Sequence, residues 1–191
     1  MNILLLGPQG SGKGTQAKRI SAEYGVPHIA TGDMLRSAIA EGTPLGQRVR
    51  PILDSGGLVP DELMIDLIRD RLQAPETEAG FVLDGFPRTL VQAEALDAML
   101  REVGRELRIV FEMQISDAVC IERLLKRARD EGRPDDTPET IAKRLELYHQ
   151  ETEPLVEYYR TQGILVGAHA ERSPNEVFNE IQQALEQVAV R

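Results

Sequence analysis

Residues 1–16 of the chain read MNILLLGPQGSGKGTQ, and this stretch decides the fold. The apolar run from Asn2 to Leu6 is typical of a strand that is buried on both faces in a parallel sheet. Residues Gly7 to Lys13 match the pattern G-x-x-x-x-G-K, and a helical pattern follows as far as Tyr24. A strand, a glycine-rich turn and a helix in this order form a loop that binds phosphate through backbone N–H groups, a helix N-terminus and a lysine.

Four further short apolar runs alternate with helical patterns along the chain. This alternation predicts an α/β fold, a doubly wound five-stranded parallel sheet flanked by helices. Ligands of such sheets bind at the carboxyl ends of the strands, so we expect Gly7, Asp84 with Gly85, and Gly167, which lie at or just after the ends of predicted strands, to share one edge. The four predicted strands are Val26 to Ala30, Gly80 to Asp84, Leu107 to Ile115, and Ile164 to Val166.

Two regions between the strands carry further predictions. Residues 32–73, between the second and third predicted strands, are too long for a plain crossover helix. At the start of this region, residues 30–59 are interpreted as a small helical flap inserted on the sheet scaffold. Thr137 with Pro138, and Ser173 with Glu176, have the pattern of helix N-termini. Pro154 is predicted to kink or interrupt the helix that starts near Pro138.

The bulk composition excludes several classes of protein. A chain of 191 residues with 41% hydrophobic residues is expected to form one soluble domain, and we expect a cytoplasmic monomer, because no apolar run approaches the ~20 residues of a membrane span. The single cysteine, Cys120, is expected to be buried and cannot form an internal disulfide or a multi-thiolate zinc site. A net charge of −9 argues against binding to nucleic acid or to an acidic membrane.

Gly14 stands where the common phosphate-loop pattern has Ser or Thr, and the hydroxyl comes one residue later, at Thr15. Either Thr15 reaches a metal ion from this shifted position, or the loop holds magnesium largely through water. Asp84 favours the second alternative, because a carboxylate at the end of an apolar strand can orient magnesium-bound water.

The motifs GPQGSGKGTQ (7–16), TGDMLR (31–36), LVPDEL (58–63) and GFVLDGFPRTLVQA (80–93) occur in this order, and the region 133–159 follows them. Together they resemble the nucleoside monophosphate kinases, and most closely the adenylate kinases. The resemblance implies one P-loop kinase domain over 1–191 that transfers phosphate reversibly between magnesium-ATP and AMP, giving two ADP, in nucleotide energy homeostasis. It also implies that Gly14 is the family's own variant of the loop.

The resemblance implies roles for individual residues. The acceptor phosphate oxygen is already anionic, so cations rather than an activated nucleophile are needed, and His28, His149 and His169 are read as packing or surface residues. The catalytic cations would be Lys13, Arg88, Arg123, Arg127, Arg133 and Arg144. ATP would be bound by Gly10, Ser11, Gly12, Lys13, Gly14, Thr15, Arg127 and Arg172, and magnesium by Asp84 through water. AMP would be bound by Thr31, Arg36, Gly57, Leu58, Val59, Gly85, Phe86, Pro87, Arg88, Gln92, Arg133 and Arg144.

Gln92 can be interpreted in two ways. Its amide can pair with an adenine edge, as the resemblance implies, or it can complete a capping box with Thr89 at the start of its helix. The chain also departs from the family in two places: the lid is short, residues 126–136, without zinc-binding cysteines, and Ala170 stands where the family usually has Gly, ahead of Arg172.

Three other functions are considered. A regulatory GTPase would explain the D-x-x-G match at Asp54 to Gly57, but that match lies in the flap and no N-K-x-D motif for guanine occurs. A non-catalytic nucleotide-binding module would not need the arginine set. A UMP/CMP kinase is the closest rival, and its acceptor pocket differs at the positions of Thr31 and Gln92.

Overall fold

Five parallel strands form one sheet in the order β2-β3-β1-β4-β5, in a computed structural model that describes residues 1–133 and 135–189. The strands are β1 (Asn2–Leu6), β2 (His28–Ala30), β3 (Phe81–Asp84), β4 (Ile109–Gln114) and β5 (Leu165–His169). This confirms the predicted α/β class and the five-stranded parallel sheet.

The helices of the described residues lie between and after these strands. They are α1 (Lys13–Tyr24), α2 (Thr31–Ala40), α3 (Pro44–Asp54), α4 (Asp61–Leu72), α5 (Leu90–Glu102), α6 (Asp117–Glu131), α7 (Pro138–Leu147), α8 (Pro154–Thr161) and α9 (Pro174–Ala189). A short 3₁₀ turn covers Pro75–Thr77, and a π-helical turn covers Tyr148–Thr152.

The central strand β1 is buried on both faces, as its sequence predicts. Leu4 and Leu6 face a core with helices α4, α5 and α8, whereas Ile3 and Leu5 face a second core with α1 and α9. Because successive side chains of a strand point to opposite faces, five consecutive apolar or buried residues place the sheet between two helical layers. The phosphate-loop sequence that follows β1 is therefore anchored in the centre of the molecule.

Several predicted strand boundaries differ from the structure, by one or two residues at β3, at β4 and at the start of β5, and more clearly in two places. Strand β5 continues to His169, and Gly167 pairs with Glu112 inside the strand instead of following its end. The strand extends because Ala168, the next residue, is fully buried in the core and continues the pairing with β4. Strand β2 is shorter than predicted and starts at His28, after Pro27.

Pro154 interrupts the long helix as predicted, but the interruption begins earlier in the chain. Helix α7 ends at Leu147, the π-helical turn follows, and α8 starts at Pro154. The predicted N-terminus of α7 has a capping box between Thr137 and Thr140. At the start of α9, Ser173 and Glu176 also exchange the predicted hydrogen bonds.

The predicted flap, residues 30–59, contains α2 and α3, which pack against each other through the chain reversal at 41–43. The predicted lid, residues 126–136, contains the end of α6 and the loop to α7, and Pro134 lies outside the described residues. Among the described residues, no helix combines the length and the apolar character that a membrane crossing requires.

Candidate active site

The carboxyl ends of the central strands open into one cleft of about 600 Å³. In the sheet, Leu5 of β1 and Ala30 of β2 both pair with Asp84 of β3. The segments that follow these three strands therefore leave the sheet at the same level. The phosphate loop after β1, helix α2 after β2, and the turn after β3 therefore border one space. A parallel sheet binds ligands at this edge, where the chain order reverses.

The cleft brings together the predicted site residues from distant parts of the sequence. All of the predicted binding and catalytic residues line it except Phe86, whose side chain is 1% exposed and packs in the core beside Leu83 and Leu96. Although the chain has a net charge of −9, the described lining carries nine Lys and Arg residues and three carboxylates. This acidic protein thus carries a cluster of positive charge at the edge where parallel sheets bind ligands.

The phosphate loop itself has the backbone that its glycines predict. Gly10 has a φ of +86°, and a side chain there would lie 2.8 Å from the carbonyl oxygen of Cys120, so only glycine fits against α6. Helix α1 begins directly after Gly12 and has no acidic residue in its first turn. Its N-terminal N–H groups and positive dipole end are therefore available to an anion.

Lys13 folds back over this loop. Its Nζ atom donates hydrogen bonds to the carbonyl oxygens of Gly7 (2.6 Å) and Pro8 (2.8 Å). Burial lowers the pKa of Lys13 to about 8; the charge of Asp84 opposes this shift and that of Arg88 adds to it. The ammonium group is thus held in the cleft at a cost in hydration, which an anionic ligand would offset.

Asp84 is the carboxylate at the end of β3, and its side chain is 16% exposed. Burial alone would raise the pKa of Asp84, but the neighbouring His28, Lys13 and Arg88 lower it below its usual value, so the carboxylate is ionised near neutral pH. His28 Nε2 lies 3.6 Å from Asp84 Oδ2, too far for a hydrogen bond. A side chain at residue 14 would begin 3.5 Å from the same oxygen, so Gly14 leaves the space beside this carboxylate open.

The turn after β3 aims Arg88 into the cleft. Arg88 Nε donates to the carbonyl oxygen of Gly85 (2.8 Å), and Thr152 Oγ1 donates to the carbonyl oxygen of Arg88 (2.8 Å). Burial, with Arg144 and Arg36 nearby, lowers the pKa of Arg88 from its usual high value, although Asp84 opposes this. A guanidinium stays protonated despite such a shift, so Arg88 brings a fixed charge to the cleft.

Thr31 and Gln92 lie on either side of this turn. Thr31 is 1% exposed, and its hydroxyl donates to the carbonyl oxygen of Asp84 (3.3 Å). Thr89 caps α5 by accepting a hydrogen bond from the Gln92 N–H, as the capping box predicts. The Gln92 side chain does not complete that box: its Oε1 accepts from the Arg88 N–H (2.8 Å), and its Nε2 donates to Asp61 Oδ1 (2.8 Å).

Arg127 and Arg144 converge on one buried carboxylate. Arg127 donates two hydrogen bonds to Asp136, Nε to Oδ2 (2.8 Å) and Nη2 to Oδ1 (3.0 Å). Arg144 donates from Nη1 to Asp136 Oδ1 and from Nη2 to Asp135 Oδ2, both at 2.7 Å. Arg144 Nη2 also lies 3.3 Å from the carbonyl oxygen of Leu53 in α3. The loop before α7 therefore holds both arginines at the cleft and joins them to the predicted flap.

The remaining predicted cations are oriented by closer neighbours. Arg36 pairs with Asp33 on the same helix at 2.5 Å, and Arg133 pairs with Glu131 at 2.6 Å. Arg123 Nη1 donates to the carbonyl oxygen of Ala170 at 2.9 Å, which ties α6 to the loop after β5. Each of these arginines lines the cleft, as does Arg172.

Sequence reasoning missed three carboxylates that organise the site: Asp61, Asp135 and Asp136. Asp135 and Asp136 follow Arg133 by two and three residues, and two adjacent carboxylates between arginine clusters were a signal that they pair with those clusters. Asp61 had no such signal, because an acidic residue in the first turn of a helix is ordinary. No group of three or more His, Cys, Asp or Glu side chains in the described residues is arranged to hold a metal ion.

Comparison with known proteins agrees with this geometry. The sequence model of the adenylate kinase family matches residues 5–164. Proteins named adenylate kinase from Caulobacter vibrioides and Thermus thermophilus are each 48% identical to this chain. The Caulobacter alignment covers 99% of both sequences, and the Thermus alignment covers 96% of both. One from Archaeoglobus fulgidus is 42% identical over 98% of this chain and 99% of its own length. The chain therefore belongs to the adenylate kinase family.

Proposed function

We propose that the protein catalyses the reversible transfer of a phosphoryl group from magnesium-ATP to AMP, giving two ADP. One observation carries this proposal: Lys13 and the arginines, which come from widely separated parts of the chain, line one cleft at the carboxyl edge of the sheet. Two nucleotides with about six negative charges between them repel each other, and preorganised cations lower that repulsion in the transition state. Membership of the adenylate kinase family supports the same reaction.

The donor triphosphate would lie along the phosphate loop. Its oxygens would accept hydrogen bonds from the N–H groups of Gly10 to Thr15 and take the place of the loop carbonyls around the Lys13 ammonium. Arg123, Arg127 and Arg172 also line the cleft and would contact the donor phosphates. Binding there would offset the loss of hydration that burial imposes on the Lys13 ammonium.

The acceptor AMP would lie between α2 and the turn after β3. Thr31 and Gln92, with the backbone of Gly57, Leu58 and Val59, would form the base pocket. Arg36, Arg88 and Arg144 would hold its phosphate. Arg133 would act between donor and acceptor. The acceptor needs no general base, because its phosphate oxygen is already ionised.

Asp84 fits a magnesium ion that keeps most of its water ligands. A single ionised carboxylate beside the phosphate loop is a hard oxygen ligand, and magnesium commonly takes one or two such groups and phosphate oxygens. Magnesium bound there supplies additional positive charge near the transferred phosphate.

The flap at 30–59 and the short lid at 126–136 would close over bound nucleotides and exclude water. Support comes from Arg144, which contacts Leu53 of the flap and both Asp135 and Asp136 of the lid. Closure of this kind protects the phosphoryl group from hydrolysis. That the protein is a cytoplasmic monomer and takes part in nucleotide energy homeostasis stays a prediction.

The test is to mix the purified protein with magnesium-ATP and, separately, AMP, CMP, UMP and GMP, and to measure ADP formation. A site that pairs with a base edge leaves buried polar groups unpaired with the wrong base, at about 1–3 kcal/mol for each, so AMP should exceed the others by at least about tenfold. Gln92→Ala should reduce this preference more than it slows transfer. If Gln92 only stabilised its helix, the variant would lose stability and keep the preference.

Two results would contradict the proposal. Preferential use of UMP or CMP would favour the UMP/CMP kinase reading. ATP hydrolysis without acceptor that is as fast as transfer would favour an ATPase and remove the argument for closure.

A further inference from the structure

The Gln92 side chain is fixed at both ends of its amide. Oε1 accepts from the backbone N–H of Arg88, and Nε2 donates to Asp61 Oδ1, both at 2.8 Å. The residue is 2% exposed. A rotation of the amide by 180° would place its oxygen against the Asp61 carboxylate and its NH₂ group against the Arg88 N–H. Both new pairs would be repulsive, so two independent contacts select one orientation.

Asp61 is well placed to hold that orientation. It is the first residue of α4 and follows directly on the segment Gly57–Pro60, whose first three residues line the cleft. Its Oδ1 also accepts from the hydroxyl of Thr89, the N-cap of α5 (2.8 Å). Gln92 lines the cleft, whereas Asp61 does not belong to the described lining and lies behind it. Any effect of Asp61 on a ligand would therefore pass through Gln92.

The neighbouring Glu62 shows that the helix dipole alone does not explain Asp61. Both carboxylates lie in the first turn of α4, where negative charge stabilises a helix. Glu62 is exposed, while Asp61 is half-buried and hydrogen-bonded to two side chains at the start of α5, those of Thr89 and Gln92. The particular contribution of Asp61 is therefore the link to the start of α5.

The held amide retains one N–H donor on Nε2 and one lone pair on Oε1 for a ligand. Adenine presents a ring-nitrogen acceptor beside an amine donor, which complements that pair. Hypoxanthine and guanine present a ring N–H donor beside a carbonyl acceptor, and in the same pose they require the rotated amide. Cytosine has the same donor and acceptor order as adenine, so the orientation of the amide does not separate these two bases.

We infer that Asp61 is a positioning residue that makes the acceptor site select adenine over 6-oxopurines, by fixing the orientation of the Gln92 amide. The inference rests on the proposed function, in which Gln92 reads the acceptor base. It assigns base selectivity to a carboxylate that need not touch the nucleotide. Selection against a pyrimidine is left to the size of the pocket.

The experiment compares kcat/KM for AMP, IMP and CMP, with magnesium-ATP as donor, in the wild type, Asp61→Asn and Glu62→Gln. IMP is chosen because it differs from AMP only at the edge that the amide reads. An asparagine can donate to a rotated Gln92 oxygen, so one of the two constraints is lost while the Arg88 N–H remains. Glu62→Gln makes the same change of charge one residue away and is the matched control.

Asp61→Asn should lower the AMP:IMP ratio of kcat/KM by about fivefold or more, the scale of one hydrogen bond. The AMP:CMP ratio should change by less than about twofold. Glu62→Gln should leave both ratios unchanged. Ratios are used because partial unfolding lowers every rate equally. Equilibrium binding of AMP and IMP without ATP, by calorimetry, should show the same loss of preference.

An unchanged AMP:IMP ratio in Asp61→Asn, or equal losses against IMP and CMP, would overturn the inference. If Asp61→Asn does not fold, Asp61→Ser is measured in the same way and decides between the same outcomes. A wild-type protein that forms no ADP from AMP would refute the proposed function itself. A wild type that uses AMP beside an Asp61 variant of unchanged selectivity would refute only the role of Asp61.

Discussion

Arg144 Nη1 lies 2.7 Å from Oδ1 of Asp136, and the Asp136 side chain is completely buried. Arg127 shares the same carboxylate through two further hydrogen bonds. Removing one partner of a buried ion pair leaves the other charge without compensation. Asp136→Asn should therefore lower the free energy of unfolding by about 3 kcal/mol, measured by urea denaturation.

Asp130→Asn is the control for that measurement. Asp130 is exposed and its contact with Lys126 is 4.0 Å long, so its loss should cost less than about 1 kcal/mol. Equal effects of the two substitutions would show that the buried arrangement adds nothing to stability.

Lys13→Met should reduce ADP formation by at least about a hundredfold, because it removes one preorganised charge from the phosphate loop. Its effect on stability should depend on pH. Below about pH 8 the folded protein holds a charged lysine that burial disfavours. Between about 8 and 10.5 the unfolded chain binds a proton that the folded protein has lost, so stability conferred by Lys13 rises with pH in this window.

Thermal unfolding of the wild type and Lys13→Met, without nucleotide, tests that sign. The stability of the wild type relative to the variant should be greater at pH 10 than at pH 7. A relative stability that falls over this range would contradict the lowered pKa. Turnover of the variant within threefold of the wild type would contradict the role of the lysine.

Gly85→Ala should destabilise the protein by about 2 kcal/mol or more and reduce transfer to AMP. Gly85 has a φ of +87°, and an added Cβ would lie 2.6 Å from Thr31 Oγ1, in the predicted acceptor pocket. Gly104→Ala is the matched control, since its φ is +67° and open space surrounds the added atom. It should cost about 1 kcal/mol and leave transfer unchanged. The free energy of unfolding is measured by urea denaturation. Similar losses of stability in both variants would show that the Thr31 side chain moves away from the added methyl group without cost.

Removal of bound metal with a chelator should leave the melting temperature unchanged, and activity should return in full when magnesium alone is restored. The chain has one cysteine, Cys120, whose thiol is buried and has its pKa raised by that burial to about 11. Such a thiol is a poor metal ligand. Stoichiometric zinc that leaves together with the fold would contradict this expectation.

Local patterns predicted the fold because they act within a few residues. The strand Asn2–Leu6, the helix Lys13–Tyr24 and the cap at Thr137 follow from burial, glycine geometry and hydrogen bonds between near neighbours. The predicted extent of β5 was wrong because its last residues are set by pairing with β4, whose partner residues lie 55 positions earlier in the chain.

The cations of the candidate site were also visible in the sequence, but their protein partners were not. Asp61 meets Gln92 across 31 residues, and Arg144 meets Leu53 across 91. No periodicity or motif records a contact at such a distance. The resemblance to a family identified the residues expected to face nucleotides, whereas the carboxylates behind them are evident only in the folded structure.

The π-helical turn at Tyr148–Thr152 makes the site depend on chain length as well as on residue identity. An α-helix advances 100° per residue, and a π-helical turn accommodates one residue more than an α-helical turn. Deleting Gln150 would convert the turn to a regular α-helical turn and rotate α7 relative to the residues that follow it. Those residues include Thr152, which donates a hydrogen bond to the Arg88 carbonyl oxygen, and Tyr159 in the core. Point substitutions on its surface should therefore be tolerated during evolution, while a single-codon deletion should be selected against.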